Sequence, residues 1–332
     1  MDMGISIILC IYNAGNILND TIGHLKKINS TGIKNVEFIF VDNNSTDNSC
    51  EIIQNALKSF DRFAWKIVKE PQSGLTYARL KGIEEAKYDI LLFCDQDNLL
   101  SENYLTTGLE ILKKDDKIAV LGGKGIALSD VDLPLWFDEQ QAYFAVGAQM
   151  PFSGEVKGEK NAVYGAGMFV RKSAFLDIFG RGFSFFNMSR SGKKLSSGED
   201  SEMCLAFKIA GYKIWYDASL EFLHVMEPGR LTMEYLKRLK KGMMLSGFIT
   251  KFYANYINGY VPKITRCFWI KEFIFTLKEW FISLVDKEYR TVRNRYLLKY
   301  LLCERSNYNK NVSRIIAICK TLDGNRKISG NI

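Results

Sequence analysis

Short apolar runs, each ending in a polar cluster and each followed by a stretch of helical periodicity, constrain this chain more than any other feature. Segments 5–12, 36–41, 65–69 and 89–94 read as strands, and the stretch holding Leu18, Ile22 and Leu25, then 52–60 and 76–85, read as the helices between them. Such alternation predicts a parallel sheet covered by helices on both faces, with its ligand site beyond the carboxyl ends of the strands. The polar residues stand where that site requires them. Tyr12-Asn13 follows the first run, Asp42-Asn43-Asn44-Ser45 the second, and Asp95-Gln96-Asp97 the run that ends at Cys94.

A sheet of this kind needs a full-sized core. The 332 residues, 47% hydrophobic and 25% charged, can supply one large domain and an appendage. With only 5 prolines, the composition argues against disorder. Cys10, Cys50, Cys94, Cys204, Cys267, Cys303 and Cys319 are scattered without a C-x-x-C spacing, so they read as reduced, mostly packed thiols rather than a zinc or redox site. No basic stretch with an apolar core opens the chain, which makes the cytosol the expected compartment. Segment 151–160 turns to Gly, Ser, Lys and Glu, a loop ahead of the strand-like 162–170. After Pro228-Gly229 the rhythm stops, and the remainder reads as helices with aromatic and basic residues interleaved. The expected division is a domain at 1–228, in halves 1–98 and 99–228, and a helical region at 229–332. The net charge of +8 hides an asymmetry: residues 230–332 hold about 21 Lys and Arg against 7 Asp and Glu, while the rest is slightly acidic. A surface of that sign attracts phosphates, on lipids, nucleic acid or sugar diphosphates alike.

Two carboxylates at the end of a buried strand repel and are costly to desolvate unless a cation offsets them. For Asp95 and Asp97 the simplest cation is Mn²⁺ or Mg²⁺, which favour hard oxygen ligands and bridge carboxylates to substrate phosphates. An isolated D-x-D also reads as a turn capping a helix that would begin at Asn98. Context favours the metal. Ser6-Ile7-Ile8-Leu9-Cys10-Ile11-Tyr12-Asn13, Val41-Asp42-Asn43-Asn44-Ser45-Thr46-Asp47-Asn48-Ser49 and Gly74-Leu75-Thr76-Tyr77-Ala78-Arg79 precede the Asp95-Gln96-Asp97 motif in order. Together the four segments resemble the nucleotide-binding half of the family 2 glycosyltransferases, which have the α/β GT-A fold and are typically inverting.

The resemblance implies roles position by position. Tyr12, Asn13 and Asp42 match residues of the nucleobase pocket, with Asp42 accepting from a uracil or thymine N–H. Arg79 matches an arginine near the diphosphate, a role that suits its fork of donors. Asp95 matches the carboxylate facing ribose and metal, and Asp97 the direct metal ligand. The chain departs from the family in having Leu80 after the Ala-Arg pair and Asn98 after the D-x-D.

In the acceptor-binding half, Ser196-Ser197-Gly198-Glu199-Asp200-Ser201-Glu202 precedes an apolar periodic run and reads as a capped helix start. It resembles the family's Glu-Asp motif, in which Asp200 would be the general base toward the acceptor hydroxyl and Glu199 would bind the acceptor. His224 closes a strand-like segment where relatives place a histidine on metal or diphosphate. His24 reads as an ordinary helix histidine. Tyr164-Gly165-Ala166-Gly167-Met168 would let backbone approach the donor sugar at Gly165 and Gly167. Trp136, with Phe137 and Tyr143, could offer a sugar an apolar face.

In the basic region, Lys271, Glu272, Lys278 and Glu279 fall on one side of a helix over 268–285. Ile270, Phe273, Ile274, Leu277, Phe281 and Leu284 fall on the other. Four charges within it argue against a spanning helix, so it packs on the domain or lies in a membrane interface, with Arg290, Arg293, Arg295 and Lys299 toward lipid phosphate. The expected partners are a nucleotide-sugar donor, a glycan or lipid-linked acceptor and the inner face of the membrane, not nucleic acid. A dehydrogenase would need G-x-G-x-x-G where this chain has Cys10-Ile11-Tyr12-Asn13-Ala14-Gly15-Asn16. A sugar nucleotidyltransferase would need a glycine-rich basic loop after the first strand. A non-catalytic polyanion- or membrane-binding protein would not need the set Asp42, Asp95, Asp97 and Asp200.

Overall fold

A computed structural model of the protein describes residues 4–157, 162–186, 198–286, 288–303, 305 and 307–324. The first half is built as β1 (Ile5–Ile11), α1 (Leu18–Lys27), β2 (Val36–Asp42), α2 (Ser49–Leu57), β3 (Ala64–Lys69), α3 (Leu75–Glu85) and β4 (Ile90–Asp95). There follow β5 (Asn98–Leu100), α4 (Tyr104–Lys114), β6 (Ile118–Leu128), α5 (Phe137–Gln140), β7 (Gly154–Glu155), β8 (Met168–Arg171), α6 (Lys172–Gly180), α7 (Glu199–Ile209) and β9 (Lys213–Val225). Four helices close the chain: α8 (Met233–Ile257), α9 (Phe268–Asp286), α10 (Glu288–Cys303) and α11 (Tyr308–Leu322).

The strands form one sheet in the order β3-β2-β1-β4-β8-β6-β9-β5, with β7 on β9. Pairing is parallel through β3, β2, β1 and β4 and again between β6 and β9, while β8 runs against β4 and β6. The sheet is thus the helix-flanked, largely parallel α/β architecture predicted from the alternation. β1 has nearly every side chain buried because both faces of the sheet are covered. Alternation along the strand sends Ile5, Ile7, Leu9 and Ile11 into one core and Ile8 into the other.

Two expectations about the strands change. The residues after Asp97 form strand β5 rather than a helix, and β5 pairs antiparallel with β9 so that Asn98 stands opposite His224. The strand-like reading of 162–170 shortens to Met168–Arg171, because Ala162 to Tyr164 are irregular and Gly165 to Gly167 bend and turn beside the site.

The rhythm does change after Pro228-Gly229, yet the core runs across that point. The layer beneath β4 and α7 continues through Phe248, Phe252 and Tyr253 of α8 into Tyr308, Val312 and Ile315 of α11. The helical region is therefore part of the structure that carries the site. The rotation of α9 also differs from the sequence reading. Trp269 and Phe273 pack inward, and Glu272 turns in to pair with Lys251 of α8 at 2.9 Å. Ile270, Ile274 and Phe281 are exposed, on a surface shared with Phe275, Ile282, Lys271 and Lys278. The side chains of Leu284, Arg290 and Arg293 lie outside the described residues. Among the described residues no helix is long and apolar enough to cross a membrane.

Candidate active site

A cavity of about 970 Å³ opens beyond the carboxyl ends of β1 and β4, the position predicted for the ligand of such a sheet. Its floor is Tyr12, Asp95, Gln96 and Asp97, and its depth holds Arg79, Gly165, Glu199 and Asp200. Its volume is at the upper end of the range for small-molecule sites.

Arg79 organises the deep end. α3 carries it under Phe93, its guanidinium carbon 5.2 Å from the ring centroid. Its Nη2 donates to Asp95 Oδ1 and its Nη1 to Glu199 Oε1, each at 3.3 Å. Burial works against the charge of Arg79, but Asp95 and Glu199 outweigh it and raise its pKa. The group stays protonated, and one cation ties the D-x-D strand to the start of α7. Glu199, expected at the acceptor, is buried as the counter-ion of Arg79.

Gly165 brings Asp200 to the same point. Its N–H donates to Asp200 Oδ2 at 2.8 Å, and its carbonyl accepts from Arg79 Nη2 at 3.5 Å. The other oxygen of Asp200 accepts from the Ser201 N–H at 2.9 Å. A Cβ on Gly165 would lie 2.8 Å from Arg79 Nη1 and 3.1 Å from Asp200 Oδ2, so a side chain here would displace the Arg79 guanidinium. Two backbone donors thus hold the carboxylate in one orientation at the cavity wall. Ser196 and Ser197, part of the predicted cap, lie outside the described residues.

The D-x-D turn is held by Asn98. Asn98 Oδ1 accepts from the Asp95 N–H at 3.2 Å while its Nδ2 donates to Asp97 Oδ1 at 3.3 Å. A carboxylate could accept but not donate. Gln96 fastens the turn to the first strand by accepting from the Tyr12 N–H at 2.9 Å. Asp97 Oδ2 lies 3.3 Å from His224 Nε2 and 2.6 Å from Arg230 Nη1. Burial alone would raise the Asp97 pKa, but His224 and Arg230 reverse that and hold it well below the usual carboxylate range.

Asp97 Oδ2 and His224 Nε2 could both ligate a divalent metal; the carboxylate suits Mn²⁺ or Mg²⁺, the imidazole is a softer ligand, and Oδ2 is shared with Arg230. Asp95 turns Oδ1 toward Arg79 instead. Among the described residues no group of three or more His, Cys, Asp and Glu side chains is placed to hold a metal.

Four further expected residues sit differently. Asp42 and Asn13 shape the rim from within: Asp42 Oδ1 accepts from the Ser45 N–H at 2.9 Å, and Asn13 Oδ1, on a left-handed backbone (φ 48°), accepts from the Thr46 N–H at 2.8 Å. Neither lines the cavity; Asn43 does. Gly167 is a packing glycine. Its φ is 63°, its carbonyl accepts from the Tyr104 hydroxyl at 2.6 Å, and a Cβ there would lie 2.5 Å from that oxygen. Trp136 packs on Phe137 and Phe144 in a satellite cluster, leaving Tyr143 and Phe144 to face the cavity.

Arg230, Gln96 and Asn43 were not singled out from the sequence. For Gln96 the signal was its place inside the D-x-D, whereas Arg230 had none, lying just past the apparent boundary.

The model of glycosyl transferase family 2 matches residues 6–179, and the chain belongs to that family. Glycosyltransferase GlyG of Streptococcus pneumoniae is 32% identical over 118 residues, 36% of this chain and 38% of that one. Poly-beta-1,6-N-acetyl-D-glucosamine synthase of Staphylococcus epidermidis is 26% identical over 176 residues, 53% of this chain and 41% of that one. The matches therefore span about two fifths of these relatives' own length. The crystal structure of S. aureus TarS 1-349 in complex with UDP-GlcNAc covers 98% of this chain and 93% of that one with a TM-score of 0.52 at 15% identity, which establishes the GT-A fold.

Proposed function

We propose that the protein transfers a sugar, with inversion, from a nucleotide diphosphate, UDP before others, to a hydroxyl of a glycan or lipid-linked oligosaccharide in surface polysaccharide synthesis. The observation that carries this reading is the convergence of Asp200, Gly165 and Arg79 on the cavity that also holds Asp95 and Asp97. The family supplies the reaction class. The polysaccharide setting draws on the poly-N-acetylglucosamine synthases among the relatives, and UDP on the TarS complex.

Each role follows from position. Asp200, oriented by two backbone donors, takes the proton of the acceptor hydroxyl as its oxygen attacks the anomeric carbon. Arg79, fixed and charged, faces the diphosphate as it gains charge on leaving. Tyr12 borders the nucleoside end. Asp97 and His224 would hold Mn²⁺ or Mg²⁺, which when bound neutralises diphosphate charge. Pre-set charges of this kind act without reorganising during the reaction, which is why the ion pairs of Arg79 matter.

Calorimetry with UDP-, dTDP- and GDP-sugars, with and without Mn²⁺, on the wild type and Asp97→Ala tests the reading. Metal-dependent binding of one sugar nucleotide, lost in the variant, is expected; no binding of any would refute it. We extend the proposal to location. The exposed Ile270, Ile274, Phe275 and Phe281 of α9, set among Lys271 and Lys278, suit an anionic lipid surface on the cytoplasmic face. Cosedimentation with phosphatidylglycerol vesicles should fall at least tenfold in an Ile274→Asp, Phe281→Asp variant, and equal binding would remove this part.

A further inference from the structure

The cavity continues past Asp200. Its far wall is one face of α8, where Met243, Ser246, Gly247, Thr250, Lys251 and Ala254 recur at helical spacing and all line it. At 1.5 Å per residue that wall is about 16 Å long, room for more than one pyranose ring. α8 lies outside the segment matched by the family model, so family membership assigns it no role.

The flank of α8 beside this face fixes the wall relative to Asp200. Tyr253 donates its hydroxyl to the buried Glu202 at 3.0 Å, and Glu202 shares the first turn of α7 with Asp200. A charge-assisted bond of this kind is among the stronger ones a protein makes.

The chemistry of the wall selects its ligand. Ser246 and Thr250 donate their hydroxyl protons to carbonyls of their own helix, Gly242 and Ser246 respectively, each at 3.3 Å. Their oxygens are left as acceptors for hydroxyl donors. Met243 and Ala254 add apolar surface for the C–H faces of a ring. Lys251, the one cation among the six, is neutralised by Glu272, which disfavours a phosphate or uronate. Gly247 leaves the middle open, for a Cβ there would meet nothing within 4 Å.

We propose that this face of α8 is the acceptor subsite and takes the end of a neutral oligosaccharide, at least two rings long, laid along the helix with its attacking hydroxyl at Asp200. The inference rests on the transfer reaction proposed above and names its acceptor class.

The test is a saccharide array of neutral and anionic mono- to hexasaccharides, probed with the full chain in the presence of UDP and Mn²⁺. Gly247→Phe and Thr250→Trp fill the wall, and Gly247→Ala serves as the control. Calorimetry with UDP follows every variant. The wild type and Gly247→Ala should retain neutral saccharides with affinity rising from one ring to several. Both filled variants should lose at least tenfold while holding UDP within about twofold. Equal retention by the filled variants overturns the subsite. So does a wild type that binds UDP but retains only anionic saccharides, or none. A wild type that fails to bind UDP would instead remove the transfer reading itself, and this inference with it.

Discussion

Asp97→Asn tests whether the cluster at the end of β4 is an electrostatic unit. The substitution keeps the shape of the side chain but leaves Arg230, whose side chain is only 13% exposed, without its counter-ion. Removing one member of a buried pair costs about 3–5 kcal/mol. At about 2 °C per kcal/mol for a chain of this size, Tm should fall by about 6–10 °C at pH 7. Arg230→Gln alone should cost a comparable amount, because Asp97 then loses its guanidinium partner and keeps only His224 and the amide of Asn98. Removing both charges should recover much of the loss, giving a coupling of about 2 kcal/mol or more in the double-mutant cycle. The pH dependence has a definite sign. The folded-state pKa of Asp97 is depressed, so its stabilisation is complete above the unfolded value near 3.9 and is lost as pH falls through that value toward the folded one. The gap in Tm between wild type and Asp97→Asn should therefore narrow below about pH 4. Thermal melts of the four proteins at pH 7 and pH 3.5 decide the matter. Additive single effects, or a gap that widens in acid, would refute the reasoning.

Other outcomes follow from the same contacts. Gly165→Ala places a methyl 2.8 Å from Arg79 and 3.1 Å from Asp200, and a shift of the base should lower kcat by about 10²-fold. UDP binding, read by calorimetry, should survive. Arg79→Lys loses the fork that spans Asp95 and Glu199, and single-turnover kinetics should show a slower chemical step. Tyr253→Phe removes a donor from Glu202, which keeps the Phe186 N–H; denaturant unfolding should show a loss of about 1.5–3 kcal/mol.

Much of the first half was legible because its signals are local. A strand buried on both faces must be nearly all apolar, as Ile5 to Ile11 are apart from Ser6, whose hydroxyl donates to Glu37. The polar residues that follow such strands must reach the ligand edge of the sheet. Asp95 and Asp97 are legible from that position alone, whereas Arg79 on α3 and Asp200 on α7 are implied only by the resemblance to family 2 glycosyltransferases. Gly165 was selected for closeness of approach, and its neighbours turned out to be Arg79 and Asp200.

What stayed hidden depends on pairs distant in the chain. His224 and Arg230 meet Asp97 because β5 pairs with β9 and the chain then turns through Pro228 to Arg230, and no local periodicity encodes that pairing. The residues of α8 that line the cavity alternate with those that join the core, a division set by where α7 and α11 lie. On α9 the apolar side chains cover most of the circumference, so the face that turned inward was chosen by the packing of Trp269 and Phe273 and by the pairing of Glu272 with Lys251. A sequence records that a residue is suited to burial or to charge. Which partner satisfies it is decided only when the whole core closes, since desolvation and pairing energies depend on distances that exist only in the folded chain.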